Sequence, residues 1–315
     1  MWGYLVRRVL AFVPTLFVAL TMIFILTRML PGSPVESLIG HQGVSDEMVA
    51  ALKHDLGLDK PILVQYFMWL PRVLRGDFGN SVFFNRPVTE VIAERFPVTL
   101  SLAGLSMILT LVIALPLGIM AARRQNSLVD QASTVLSTLG VSIPTFWLGF
   151  LLMLLFAVIL RWFPAAGYRP ASMGLIPWLS RLVLPVVALA MSQVALLVRQ
   201  TRSSMLEVLG MEYILAARAK GLREGAVVYK HALRNAFVSI ITVIGLTFAL
   251  SLGGSVLVES VFAIPGIGLL ITTAAIRRDY ATIEGGTAFL TVLALVANLA
   301  VDVLYSLINP RIRYE

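Results

Sequence analysis

Histidine occurs three times in this chain of 315 residues, at His41, His54 and His231. None stands in the H-E-x-x-H spacing that sets two zinc ligands on one helix face. The nearest approach to a G-x-S-x-G nucleophile elbow is Gly140-Val141-Ser142-Ile143-Pro144. It lacks the second glycine and a histidine partner, so it reads as a helix bend at the proline. Cysteine is absent, which removes thiol nucleophiles, disulfides and thiolate metal sites. There is no G-x-x-x-x-G-K-[ST] phosphate loop. The expectation is a chain without a catalytic site, a bound cofactor or a metal. If it moves a solute uphill, the energy comes from another polypeptide.

A carrier keeps its chemistry in polar groups within apolar segments, where they are costly. Few are visible: Gln193, and Asn298 with Asp302 one helical turn further on. No buried acid–base chain of the kind that runs a proton- or sodium-driven carrier is apparent. Two other stretches carry polar or small residues in informative order. Met211–Asn235 is short, basic and broken by Gly221, with Tyr213, Ala216, Ala217 and Lys220 at helical spacing and a restart over Ala226–Leu233. It predicts two short amphipathic helices at a membrane surface. Ser251, Gly253, Gly254 and Ser255 form a small-residue stripe that suits close helix packing, the more common use, or a pore wall. Together with Asn298, Ser251, Gly254 and Ser255 are the candidate translocation-path residues.

The elements that must position these residues are membrane spans. Hydrophobic residues make up 58% of the chain, charged residues 13%, and the mean hydropathy is +0.87; a soluble domain carries roughly 25% charge. Nearly charge-free runs appear at 9–26, 98–122, 131–160, 182–198, 236–258 and 285–301. A helix needs about 20 residues to cross roughly 30 Å of hydrocarbon. The expected fold is therefore an all-α membrane protein with six transmembrane helices. The last run and Leu182–Val198 are short enough to borrow flanking positions such as Arg199 and Asp302.

Arg7 and Arg8 precede the first run, and no small-x-small cleavage site follows, so a signal anchor is expected rather than a cleaved leader. With the N-terminus inside, the inner loops hold 13 basic against 6 acidic residues, which orients the chain N-in and C-in. The net charge of +8 is thus a topology signal. Without a basic stripe interleaved with aromatic residues, nucleic acid is not an expected partner.

Residues 1–30 form the N-terminal segment with the first span. Residues 31–97 read as an extracytoplasmic subdomain, with a helix over Ser45–Leu56 capped by Ser45 and a second, aromatic-rich helix over Pro61–Leu74. It is either a docking platform or a cap over the bundle. Residues 98–315 form the core, with a cytoplasmic loop at 199–235. Past the fifth run, Pro265-Gly266 breaks the chain, and Gly268–Ile276 is too short to span. It predicts a re-entrant or surface helix beside a cavity.

Several pieces, in order, carry a resemblance over nearly the whole length. They include Arg28-Met-Leu-Pro31-Gly32, Leu56-Gly-Leu58-Asp59-Lys-Pro61, Leu74-Arg-Gly-Asp-Phe-Gly79 and Ser142-Ile-Pro-Thr-Phe-Trp-Leu148. Others are Arg199-Gln-Thr-Arg202, Ala217-Arg-Ala-Lys-Gly221, His231-Ala-Leu-Arg-Asn-Ala236, Glu259, Pro265-Gly266, Arg278-Asp-Tyr280 and Pro310-Arg-Ile-Arg-Tyr314. The chain resembles the permease subunit of binding-protein-dependent ABC importers of the oligopeptide/dipeptide family. The resemblance implies that 199–235 is a coupling loop seated in an ATP-hydrolysing partner, with Ala216, Ala217, Arg218, Lys220, Gly221 and His231 at the contact. Lipid headgroups are the alternative contact for Arg218 and Lys220. Leu215 stands where the family has a glutamate and Ser239 where it has a proline.

The resemblance further implies two ABC ATPases that bind the ATP and magnesium, a second related permease, a solute-binding protein and a lipid bilayer of a bacterial inner membrane. Peptides are the implied cargo, with nickel, glutathione or oligosaccharide as alternatives. A stand-alone channel or secondary carrier, or an intramembrane hydrolase, would lack these partners.

Overall fold

The computed structural model describes residues 2–31, 54 and 57–308. The helix expected over Ser45–Leu56 lies outside the described residues, as do His41, Arg311 and Arg313. In chain order the elements are α1 (Trp2–Arg28), α2 (Ile62–Leu74), a two-stranded hairpin of β1 (Asn80–Ser81) and β2 (Arg86–Pro87), and α3 (Val88–Arg123). Then come α4 (Leu128–Ser142), α5 (Thr145–Leu152, extended by a π-helical turn, Met153–Ile159) and α6 (Leu175–Leu209). The remainder is α7 (Glu212–Ala219), α8 (Glu224–Val261), α9 (Ile267–Arg277) and α10 (Tyr280–Ile308). The strands pair antiparallel, Asn80 opposite Pro87 and Ser81 opposite Arg86.

Five helices among the described residues are long and apolar enough to cross a bilayer: α1, α3, α6, α8 and α10. The run expected as the third span instead arrives as α4 and α5, bent by 101° at a break of two residues. Ile143-Pro144 causes it. Pro144 cannot donate to the helix ladder, and it pushes Ile143 into extended backbone at ψ 120. The runs that looked marginal in length prove ample, since Leu182–Val198 sits inside a 35-residue helix and 285–301 inside one of 29. Apolar composition marks only the part of a helix that lipid sees; the polar turns beyond it continue the hydrogen-bond ladder.

The chain divides into two compact units that cut across the boundaries read from sequence. The first comprises Met1–Val9, Leu100–Ile264 and Ala294–Glu315. It is built around α6, the most enclosed of the long helices, whose Leu182, Leu197 and Met205 are fully buried. Leu197, Met205, Ile214, Val227, Val228 and Ile240 share one core cluster. α4 meets α6 through its small residues. A Cβ at Gly140 would stand 2.9 Å from Ala195 Cβ, so only glycine permits this approach.

The second unit comprises Leu10–Thr99 and Pro265–Leu293. Leu20, Ile23, Val73 and Ala288 form its core, with Trp69 and Phe78 packed against them. The aromatic helix read from Pro61–Leu74 is present as α2, and its Tyr66 and Trp69 rings each sit 5.3 Å from Phe24 of α1 and 6.4 Å from each other. Tyr66 also shares a 2.7 Å hydrogen bond with Thr21. The short helix expected after Pro265-Gly266 is α9, with 11 residues, and its first N–H, at Ile267, donates to Thr99 Oγ1 at 2.8 Å. Asp279 begins α10, accepting from Thr282 Oγ1 at 2.7 Å and from Ser81 Oγ of the hairpin.

Candidate functional site

The segment that sequence singled out is α7 and its connections. Glu212 and Arg218 lie in its first and last turns, each complementing the helix dipole. Gly221 then turns the chain at φ +77, a left-handed conformation that glycine adopts without penalty. The second short helix expected at Ala226–Leu233 is not separate. Glu224–Ala226, a π-helical segment Val227–Ala232 and Leu233–Val261 run on as one 38-residue helix, α8. No glycine or proline interrupts 226–236, and Val227, Val228 and Ala232 are buried, so nothing in that stretch stops the helix.

Three contacts fasten α7 to its neighbours. Ile214 is wholly buried in the cluster that holds Met205, Val227 and Val228. Arg218 Nη2 donates to Glu224 Oε1 at 2.8 Å across the Gly221 turn, and that carboxylate raises the Arg218 guanidinium further above its ordinary value. Asn235 Nδ2 donates to the Tyr213 hydroxyl at 2.6 Å and to the His231 carbonyl at 3.2 Å. The Arg218–Glu224 pair is about two-fifths exposed and so contributes only roughly 0.2–1 kcal/mol; burial of Ile214 dominates.

The outward face of α7 and its turn carries Leu215, Ala216, Lys220, Gly221 and Leu222, all exposed, while Ala217 points inward. Leu215 is 55% exposed, Leu222 42% and Tyr229 58%. His231 is half-buried within the π-helical segment of α8. Of the six coupling residues read from sequence, Ala216, Arg218, Lys220 and Gly221 lie exposed together, and Arg218 is engaged by Glu224.

The candidate path residues fall elsewhere. Ser251 and Ser255 are buried on α8, their hydroxyls donating to the Phe248 and Leu252 carbonyls at 2.6 and 2.8 Å. A Cβ at Gly254 would stand 3.2 Å from Leu189 of α6, so Gly254 packs against α6, whereas Gly253 is exposed with open space beside it. Asn298 is half-buried on α10.

Charged groups that sequence reasoning passed over prove to be enclosed. Arg202 of α6 grips Asp130 in the first turn of α4 with two nitrogens, and the Asn126 N–H also donates to that carboxylate at 2.9 Å. Asp130 had counted only as one inner-loop acid. In the second unit Arg28 Nη1 meets Glu284 at 2.6 Å, Arg28 Nε donates to Gln65 at 3.0 Å, and the guanidinium lies over the Phe24 and Tyr280 rings. Arg28, Gln65, Tyr280 and Glu284, with Trp69, Arg72 and Asp77, line a cavity of about 260 Å³. At its rim Asp77 accepts from Arg72 at 2.9 Å and from the Gly79 N–H, which hold its carboxyl below the usual range. The available signal was position: Glu284 opens a span and Arg28 closes one.

Among the described residues no group of three or more His, Cys, Asp or Glu side chains is placed to hold a metal ion. Residues 114–314 match the family described as binding-protein-dependent transport system inner membrane component, and residues 1–103 match its N-terminal companion family. A peptide transport system permease protein of Brucella abortus is 42% identical over the full length of both chains. The oligopeptide transport system permease AppB of Bacillus subtilis and the glutathione transport system permease GsiC of Salmonella choleraesuis are each 39% identical, again over both full lengths. A chain of the MetNI methionine ABC transporter, inward-facing, shares the fold with a TM-score of 0.59 at 18% identity, covering 70% of this chain and 96% of that one. The chain belongs to the binding-protein-dependent transport system inner membrane component family: it is a multi-pass permease subunit of an ABC importer, a transporter component that works with ATPase and solute-binding partners.

Proposed function

We propose that this permease forms half of a path for short peptides, driven by two ABC ATPases through α7 and completed by a second, related permease. The observation that carries this reading is the face of α7. This helix is too short to span a membrane, yet α7 and its turn present Leu215 and Leu222 outward, and the start of α8 presents Tyr229. Apolar side chains clustered on a water-facing knob mark a protein contact. Ala216 and Gly221, exposed between them, let another surface approach closely. With the N-terminus inside, this knob faces the cytoplasm, where ATP is.

Motion would pass from α7 to the bilayer through α8. Ile214 and the Tyr213–Asn235 bond seat α7 on the first turns of α8, and α8 then runs 38 residues without a break. At about 1.5 Å per residue that is roughly 57 Å of helix. ATPase closure that displaces α7 therefore displaces a whole span and switches access between the two sides. Peptide cargo is favoured by the relatives, whose names are peptide, oligopeptide and glutathione transport, the last a tripeptide.

The test is Gly221→Asp. A Cβ there meets nothing within 4 Å, and aspartate tolerates left-handed backbone, so the chain itself still folds. In the purified complex, basal ATP hydrolysis should persist while stimulation by peptide-loaded binding protein is lost. Unaltered stimulation refutes the coupling role. The same assay with dipeptides, tripeptides, nickel and oligosaccharides in turn assigns the cargo.

A further inference from the structure

We propose that the edge of α4 carrying Gln131, Thr134, Thr138 and Ser142 is a water-facing wall of the translocation path; this rests on the permease reading above. α4 is three-sided. At about 100° per residue, Ser133, Ser137 and Gly140 fall together and are buried with Asp130, the glycine against α6. A second sector, Leu128, Val135 and Leu139, is exposed and wholly apolar, as a lipid face is. The third sector holds Gln131, Thr134, Thr138 and Ser142, and every one of them is exposed. Ser133, Ser137 and Gly140 of α4 are thus spent on packing, and Gln131, Thr134, Thr138 and Ser142 are turned away from the chain.

Hydroxyls are also exposed at Thr15 of α1 and at Ser239 and Thr242 of α8, while several other polar groups of the spans turn inward. Thr110, Gln193, Thr247, Ser251 and Ser255 are all buried, with Gln193 donating to the Leu189 carbonyl at 3.2 Å. On α4 the hydroxyls of Thr134, Thr138 and Ser142 each donate to the carbonyl four residues back at 2.9 Å. Their donors are used and their acceptor lone pairs point outward. A row of acceptors suits the backbone N–H groups of a passing peptide.

A second observation lies at the end of the same row. Ser142 begins the break to α5, and Ser142 and Pro144 are both exposed. Fifteen residues carry α4 only about 22 Å, short of the roughly 30 Å that crossing the hydrocarbon requires, so with α4 along the bilayer normal the break falls within it. Non-helical backbone at such depth occurs only beside water or under protein, never against lipid. The polar edge and the exposed break together place water along this side of α4. The buried seam at Ser251 and Ser255 offers cargo no such access.

The natural absence of cysteine makes the test direct. Thr134→Cys, Thr138→Cys, Val135→Cys and Leu139→Cys are made singly in the complete transporter, its partners stripped of cysteine, in proteoliposomes. Co-purification with the ATPases confirms assembly of each. A charged, membrane-impermeant methanethiosulfonate should modify positions 134 and 138 at least tenfold faster than 135 and 139, and modification at 138 should stop peptide uptake. Equal rates at 138 and 139 would assign the row to lipid. Failure to react, with a short crosslinker joining 138 to the second permease, would assign it to a subunit seam; either result overturns the proposal. Substrate-stimulated ATP hydrolysis that still depends on Gly221 would show that the permease reading survives such a failure.

Discussion

Ile214 and Leu215 are neighbours on α7 with opposite surroundings, and truncating each should give opposite signatures. Ile214 is 0% exposed within the cluster of Met205, Val227 and Val228; Leu215 is 55% exposed. Ile214→Ala removes a buried side chain from a packed site, which costs roughly 2–5 kcal/mol depending on how far the site collapses. The Arg218–Glu224 and Tyr213–Asn235 contacts add at most about 1–2 kcal/mol between them, too little to hold α7 in place once that anchor is gone. Leu215→Ala removes area that the isolated chain leaves in solvent, so its effect on the permease alone should stay within about 0.5 kcal/mol. Two assays separate them. Thermal unfolding of the purified permease in detergent should be lowered by Ile214→Ala and unchanged by Leu215→Ala. Affinity for the ATPase, measured by titration of the solubilised subunits, should fall for both: for Leu215→Ala through lost contact alone, by roughly 5- to 30-fold for about 1–2 kcal/mol. Equal thermal effects would mean that α7 is not seated as described. An unchanged ATPase affinity for Leu215→Ala would mean that the exposed apolar face is not the contact.

Two other perturbations test a buried and an exposed ion pair. Asp130→Ala strands Arg202, whose side chain keeps 29% exposure against 4% for Asp130, so the loss should be about 2–4 kcal/mol, below the roughly 3–5 of a fully buried pair; thermal stability of the purified permease reads it, and no change would show the pair to be incidental. Asp77 has a folded pKa below its unfolded value, so its contribution is complete above the unfolded value of about 3.9 and is lost only as pH falls through the lower folded one. Any effect of Asp77→Asn on peptide uptake should therefore be the same at every pH between 5 and 8, and a pH profile that changes shape in that window would contradict the Arg72–Asp77 geometry.

Hydrophobic runs revealed all six apolar segments, because lipid imposes its thickness on composition, and they located α2 and α9 by their flanking prolines. They could not reveal the 101° break for what it is. Pro144 announces a bend, but the angle is decided by what packs on either side. The same limit hid the second half of the segment 211–235. Gly221 ends α7 legibly, whereas the continuation of 224–261 as one helix depends on Val227 and Val228 being buried beneath α7. Arg28 and Glu284 are 256 residues apart, and nothing local to either signals the other. Arg202 and Asp130 looked like topology charges because each sits where an inner loop meets a span.

Small and polar residues in membrane helices were the hardest to read, and the reason is physical. Serine on a span has two uses, close packing and contact with water, and both favour the same residue type. Ser251 and Ser255 suit either use in sequence and are buried in the structure, next to Gly254, which packs on α6. Ser133 and Ser137 do the same on α4, while Thr134 and Thr138, one position along, face outward. The separation rests on about 100° of helix rotation, which sequence fixes only when the packed sector is known. Gly140 supplies that reference: a Cβ there would collide with Ala195 at 2.9 Å, so its side of α4 must face α6. Once one glycine is pinned, the polar edge of the helix follows from geometry, and a path wall becomes distinguishable from a packing seam.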